Sequence, residues 1–271
     1  ALSTIRMVYI ELFINKQYRG VYAFTEDMDR KQLKLKNQSG GGELYKGDSW
    51  GGAVTFDHVP DLSGAPIETW GGWEMKYPDW EDGNWNAIRN FTDFVKNATD
   101  AEFSSQIESK ISIPSFIDYY LFLNLTKAED NLGKNTFIAK YTAGDPYFIV
   151  PWDLDGTWGY NWKGEWEPRK TAILSNSLYK RLLELNPNQF KEKLALRWFD
   201  LRKNAFSIPS LQNRFDTQKE FLERNAIYDR EYLVYQGNYD QHFPFYKLAH
   251  RNEALTNIKD WIVSRTDNLD H

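Results

Sequence analysis

Asp130-Asn131-Leu132-Gly133-Lys134-Asn135 and, a short interval later, Trp152-Asp153-Leu154-Asp155-Gly156-Thr157-Trp158-Gly159 decide how this chain is read. Upstream of the first segment, Ser112-Ile113-Pro114 is a helix start with proline in the first turn. From there Phe116, Ile117, Tyr120, Leu121, Leu123 and Leu125 make a broadly apolar helix that ends near Lys127 and is expected to be buried on most sides. Residues 129–134 are a polar loop. Residues 135–141 and 146–151 are two strands joined by Thr142-Ala143-Gly144-Asp145. The order is therefore buried helix, acidic loop, hairpin, then an Asp-x-Asp-Gly turn. Farther out, Ile88, Phe91, Phe94 and Val95 predict a helix over 84–97, and further helices are expected at about 176–185, 187–206, 209–226 and 243–266. The first quarter reads as β: a strand over 5–14, a turn at Asn15-Lys16-Gln17, and a return strand over 18–25. A charged stretch with a short helical turn (26–36), a flexible loop (37–42), a strand (43–46), an irregular segment (47–69) and a glycine-broken strand (70–77) follow. The fold class is α+β, and the chain opens within a strand, as an excised domain would.

Composition narrows the functions. The chain has 271 residues, 33 Lys+Arg against 38 Asp+Glu, and a net charge of −5. That balance argues against a nucleic-acid binder and against a polybasic membrane-surface module. No apolar run approaches the ~20 residues of a membrane span. With no cysteine, disulfides, thiolate metal sites and Cys nucleophiles are excluded. His58, His242, His250 and His271 lack metal-ligand spacing and read as surface or packing residues. Aromatic residues make up 16% of the chain, which predicts a core built from rings. Trp50, Trp70, Trp73, Trp80 and Trp85 crowd one stretch and would serve a carbohydrate-binding face if exposed. Of the sequons at Asn37, Asn90, Asn97 and Asn124, the last sits on the apolar helix, which argues against its modification.

The acidic segments carry the chemistry. Asp130 and Asn135 have the spacing of a protein-kinase catalytic loop, where the Asp accepts the substrate hydroxyl proton and the Asn binds magnesium. A hairpin then leads to Asp153 and Asp155, placed as metal-binding carboxylates would be. Mg²⁺ needs only one or two carboxylates and an amide oxygen, because it keeps waters and phosphate oxygens. Lys46, closing its strand, is placed to hold nucleotide phosphates, with Glu26 and Glu74 as candidate partners and Lys76 as a second phosphate ligand. The turn 15–20, with Tyr18 and Gly20, is a candidate cover for phosphates. Structural readings stand beside these: an Asp/Asn turn followed by an Asp-Gly turn, a strand-end lysine, and an ordinary hairpin. A calcium loop fails, because places six and twelve counted from Asp153 are Trp158 and Gly164, where Gly and Glu are required. A glycosidase carboxylate pair would need a separation that sequence does not supply.

Phe13–Arg30 (FINKQYRGVYAFTEDMDR), Glu43–Lys46 (ELYK), Asp130–Asn135 (DNLGKN) and Val150–Gly159 (VPWDLDGTWG), in this order, resemble the spore coat protein H (CotH) kinase family over roughly residues 7–205. The resemblance implies an atypical, bilobal protein-kinase-like fold, with a β-rich N-lobe over 1–83 and a helical C-lobe over 84–271. It implies transfer of the ATP γ-phosphate, with Mg²⁺ or Mn²⁺, to serine of a secreted or envelope protein. The expected partners are that protein and the nucleotide, with no nucleic acid, and the expected state is a monomer in a secreted or cell-envelope setting. By the same resemblance Asp130 is the catalytic-loop Asp, Asn135 the metal-binding Asn, Asp153 or Asp155 the metal-binding Asp, and Lys46 the nucleotide lysine. Two positions depart from the pattern. Lys16 stands where members often have Gly, and Leu132 stands where a kinase has a basic residue, a role Lys134 would take over. The alternatives are a non-catalytic kinase-like scaffold and a carbohydrate- or protein-binding module of the bacterial envelope.

Overall fold

Alternating apolar residues in the first quarter form the antiparallel pair β1 (Met7–Ile14) and β2 (Gln17–Thr25). Only Asn15 and Lys16 make the turn, both left-handed (φ 52° and 65°), as a two-residue hairpin matching the strand twist requires. The computed structural model describes residues 5–62, 67–242 and 251–271. Within these the chain forms two compact units: residues 27–155 with 173–198, and residues 5–26 with 156–172 and 199–271. The lobe boundary expected at residue 83 falls inside the first unit.

The first unit is built on a five-stranded antiparallel sheet of order β4-β5-β3-β6-β7, comprising β3 (Glu43–Gly47), β4 (Thr69–Trp70), β5 (Trp73–Tyr77), β6 (Thr136–Lys140) and β7 (Phe148–Pro151). The single strand expected over 70–77 is in fact two, because Gly71 and Gly72 both take positive φ and turn the chain back on itself. The flexible loop expected at 37–42 contains a 3₁₀ turn, Gln38–Gly40, whose Gly40 amide donates to the Asn37 side chain.

Helix α1 (Asn86–Asn97) buries Ile88, Phe91, Thr92 and Val95, an i, i+3, i+4, i+7 stripe. Helix α2 (Asp100–Lys110) was not anticipated, although Thr99 and Glu102 form a reciprocal capping box at its start. Helix α3 (Ile113–Thr126) is buried almost all round, and Lys127 ends it in the left-handed conformation (φ 55°). Asn124 is buried on α3 and bonds to the carbonyls of Tyr120 and Leu174, so the expectation that it escapes modification agrees with its position. Helix α4 (Ser177–Leu185) is followed by a break. The continuous helix expected over 187–206 is a short turn with Asn188 left-handed, then α5 (Phe190–Lys203).

Rings fill this core. Trp85 packs 5.8 Å from Tyr45 and 6.0 Å from Trp70, and Phe91 packs 5.4 Å from Phe56 and 5.1 Å from Tyr147. Trp70, Trp73 and Trp85 are buried, which removes most of the tryptophan face a carbohydrate would need.

The second unit holds β1, β2, α6 (Ile208–Arg224), α7 (Ile227–His242) and α8 (Arg251–Asp270). Helix α7 was not anticipated. Residues 243–250 of the last expected helix, with His250, lie outside the described residues. The β2 strand packs on α7: Val21 N–H donates to Glu231 at 2.7 Å, and Tyr235 Oη donates to the Arg19 carbonyl at 2.6 Å. Arg230 forks onto Glu11 at 2.7 and 2.6 Å. The architecture is α+β as expected, and among the described residues no helix is long and apolar enough to cross a membrane.

Candidate active site

Strand β3 ends by delivering Lys46 into a cluster of charge. In the antiparallel register Lys46 faces Glu74 of β5. Its ammonium lies 2.9 Å from Asp48 Oδ1 and 3.6 Å from Glu74 Oε2, and the other Glu74 oxygen takes Lys76 Nζ at 2.9 Å. Burial pulls the Lys46 ammonium down. The hydrogen bond and charge of Asp48, with the charge of Glu74, outweigh that and hold it above the ordinary lysine value. One carboxylate thus serves two lysines at the end of the sheet.

Beyond α3 the chain turns through a 3₁₀ segment, Asp130–Leu132, in which the Gly133 and Lys134 amides both donate to the Asp130 carbonyl, at 3.1 and 2.8 Å. This wrap brings the Lys134 ammonium to 3.0 Å from Asp130 Oδ2. Gly133 lies under the Trp50 ring, where an added methyl would collide with the indole. Asn131, buried beside it, donates from its side-chain amide to the carbonyls of Asn135 and of Trp152, the latter at 2.8 Å. The Trp152 amide donates to the same Asn135 carbonyl at 3.0 Å, and the Asn135 amide donates to the Gly47 carbonyl at 2.8 Å. The residues next to Lys46 and Asp153 are therefore tied through Asn135 by main-chain hydrogen bonds, and the residue next to Asp130 joins them through the Asn131 side-chain amide. Trp152 is further held by an edge-on contact with Phe137, 5.6 Å between ring centres.

Electrostatics agrees with this geometry. The Asp153 carboxyl is raised above the ordinary aspartate value, first by burial and then by the charge of Asp155, with Asp130 adding to the rise and Lys134 and Lys46 opposing it. Four charged groups thus act on Asp153. Asn135 and Asp153 both adopt left-handed backbone (φ 53° and 51°). That conformation costs most non-glycine residues about 1–2 kcal/mol, and Asn and Asp are among those that adopt it most readily. Among the described residues the side chains of Asn135, Asp153 and Asp155 make no hydrogen bond. No group of three or more His, Cys, Asp or Glu among the described residues is arranged to hold a metal by itself. Asp155 lies close enough to raise the Asp153 carboxyl, and two such hard oxygen donors are of the kind Mg²⁺ uses when it completes its shell with phosphate oxygens and water.

Of the residues singled out from the sequence, Lys46, Lys76, Asp130, Asn135, Asp153 and Asp155 all lie in the first unit. Tyr18, Gly20 and Glu26 belong to the second. Tyr18 Oη donates to Glu231 at 3.4 Å, Gly20 sits against Glu231 and Tyr235, and Glu26 accepts from the Arg6 amide at 2.8 Å. Sequence reading missed Asp48 and Asn131. Asp48 is signalled only by standing two residues after Lys46, on the same side of an extended chain. Asn131 is signalled by nothing beyond its place next to Asp130.

Two comparisons bear on the site. The Bacillus subtilis (strain 168) protein described as inner spore coat protein H is 22% identical over 253 residues, which covers 81% of this chain and 67% of that protein. A family model described as CotH kinase protein matches residues 1–269, a span that takes in both halves of the acidic site and the lysine strand. With the match running nearly end to end through these elements, the chain belongs to the CotH kinase protein family.

Proposed function

We propose that this chain is an ATP-dependent phosphotransferase that moves the γ-phosphate to a hydroxyl, serine of a protein substrate, with Mg²⁺ or Mn²⁺ as the bound cation. One observation carries this reading: Asp130, 3.0 Å from Lys134, is joined through Asn131 and Asn135 to the peptides beside Lys46 and Asp153, so that carboxylates and lysines gather in one place. That is the charge pattern phosphoryl transfer requires, where positioning and electrostatics supply nearly all the catalysis.

Each residue has a task. Asp130 accepts the hydrogen bond of the attacking hydroxyl and orients it, through the oxygen that Lys134 does not engage. Asp153 and Asn135 hold the cation, with Asp155 beside them. When bound, the cation neutralises charge on the β- and γ-phosphates. Lys46 and Lys76 offset the remaining phosphate charge, and Glu74, paired with both, aims them. Lys134 takes the role of the basic residue that Leu132 cannot fill. The relative's name, a spore coat protein, supports a coat or envelope protein as the acceptor.

The test is transfer of labelled phosphate from ATP to an acceptor protein, or to the chain itself, by the wild type and by Asp130→Ala and Asp153→Ala. Each variant is expected to lose transfer by at least about 10³-fold while melting as the wild type does. Wild-type rates in both variants would sink the assignment. A thermal shift with ATP and Mg²⁺ but no transfer would favour a nucleotide-binding scaffold instead.

A further inference from the structure

Asn131 is the buried polar side chain at the site that touches neither of the charged clusters. It is 4% exposed. Both neighbours of its terminal group are carbonyl oxygens, those of Asn135 and Trp152, so the side-chain nitrogen must face them and both its hydrogens are spent. The main-chain carbonyl of Asn131, not its side chain, accepts a 2.7 Å bond from the hydroxyl of Tyr119, a buried residue of α3. The Trp152 carbonyl belongs to the peptide that enters Asp153, and the Asn135 carbonyl leaves the other residue held at positive φ. The Asn135 amide in turn bonds to Gly47, directly after Lys46.

We propose that Asn131 is a positioning residue that fixes the two left-handed ligand positions, Asn135 and Asp153, against each other and so sets the affinity of the site for its divalent cation. The inference rests on reading the site as a metal-dependent phosphotransferase and deepens it. Without the Asn131 amide, the peptide entering Asp153 loses its donor. Asp153 is then free to leave the left-handed conformation, and its carboxylate loses its fixed direction. Tyr119 extends the same anchor into the core of α3. The metal ligands are thereby held by a side chain that never touches metal or nucleotide.

The variant Asn131→Asp keeps the shape and removes the donors, because a carboxylate cannot donate to two carbonyl oxygens. Full-length wild type and variant are titrated with MgCl₂ in the presence of a fixed concentration of ATP, following the melting temperature and the heat of binding. The Mg²⁺ concentration at half-effect is expected to rise roughly 10–100-fold, as for loss of a residue that orients metal ligands. ATP binding measured in EDTA should stay at the wild-type level. Tyr119→Phe, which keeps the ring, should move the Mg²⁺ midpoint in the same direction by less.

An unmoved midpoint in Asn131→Asp overturns the proposal. Should that variant fail to fold, an unmoved midpoint in Tyr119→Phe overturns it. A wild type whose ATP binding does not respond to Mg²⁺ overturns the phosphotransferase reading itself, and this inference with it.

Discussion

At the scale of single residues the site turns on Lys134. Its ammonium is 3.0 Å from Asp130, and its charge also opposes the rise of the Asp153 carboxyl. It therefore stands between the residue proposed to orient the hydroxyl and the residue proposed to hold the cation. The Lys134 and Asp130 side chains are 34% and 30% exposed, so their pair is worth at most about 1 kcal/mol of stability. Lys134→Ala is accordingly expected to leave the melting temperature within about 4 °C of wild type while lowering kcat about 10²-fold or more. Steady-state kinetics beside a melting curve checks both, and a variant with wild-type kcat would remove Lys134 from the mechanism. Asp130, Lys134, Asn135 and Asp153 were legible in the sequence because their order along the chain is itself the signal. Asn131 and Asp48 were not. The role of Asn131 comes from reaching Trp152 across a hairpin, and that of Asp48 from sharing Lys46 with Glu74, and neither pairing leaves a trace in linear spacing.

At the scale of elements, periodicity succeeded where burial is one-sided and failed where turns or caps decide. Helix α1 was readable because Ile88, Phe91 and Val95 repeat at helical spacing and are all nearly inaccessible. The two strands over 69–77 were merged because β-forming residues flank a glycine pair, and only the positive φ of both glycines reveals the turn. Helix α2 escaped because its apolar residues, Phe103 and Ile107, are too few to make a stripe. Its signal was the cap. Glu102 N–H donates to Thr99 Oγ1 at 3.3 Å, and the Glu102 carboxylate accepts from the Thr99 amide at 2.9 Å. Thr99→Ala removes one half of that exchange and is expected to cost about 1 kcal/mol. That corresponds to a melting temperature lower by about 2–4 °C. The KM for ATP should not change, since α2 supplies no residue of the proposed site. A shift in KM without a shift in melting would show that α2 serves binding rather than support.

At the scale of the whole molecule, the second unit joins the two ends of the described chain, with residues 5–26 packing among helices that begin beyond residue 199. Its hairpin was legible from alternation, but the helix it packs on was not, because the apolar residues of α7 form no continuous stripe. Beside the hydrogen bonds of Val21 to Glu231 and of Tyr235 to Arg19, the link has an ionic part: Arg230 forks onto Glu11, a pair separated by 219 positions in sequence. The Glu11 carboxyl lies below its ordinary value, first because it accepts the Arg230 hydrogen bond, an effect that burial opposes and the Arg230 charge reinforces. A carboxylate depressed in the folded state contributes stability that is fully present above its unfolded pKa, about 4.3, and is lost as pH falls through the lower folded value. Glu11→Gln should therefore unfold at lower temperature than wild type at pH 7. The gap between the two should persist at pH 5 and narrow toward pH 3, below the unfolded value, as falling pH approaches and passes the lower folded value. Melting followed by circular dichroism at these three pH values tests it. A gap unchanged at pH 3 would mean that Glu11 supports the hairpin through packing alone, and that the charge joining the first strands to α7 contributes nothing.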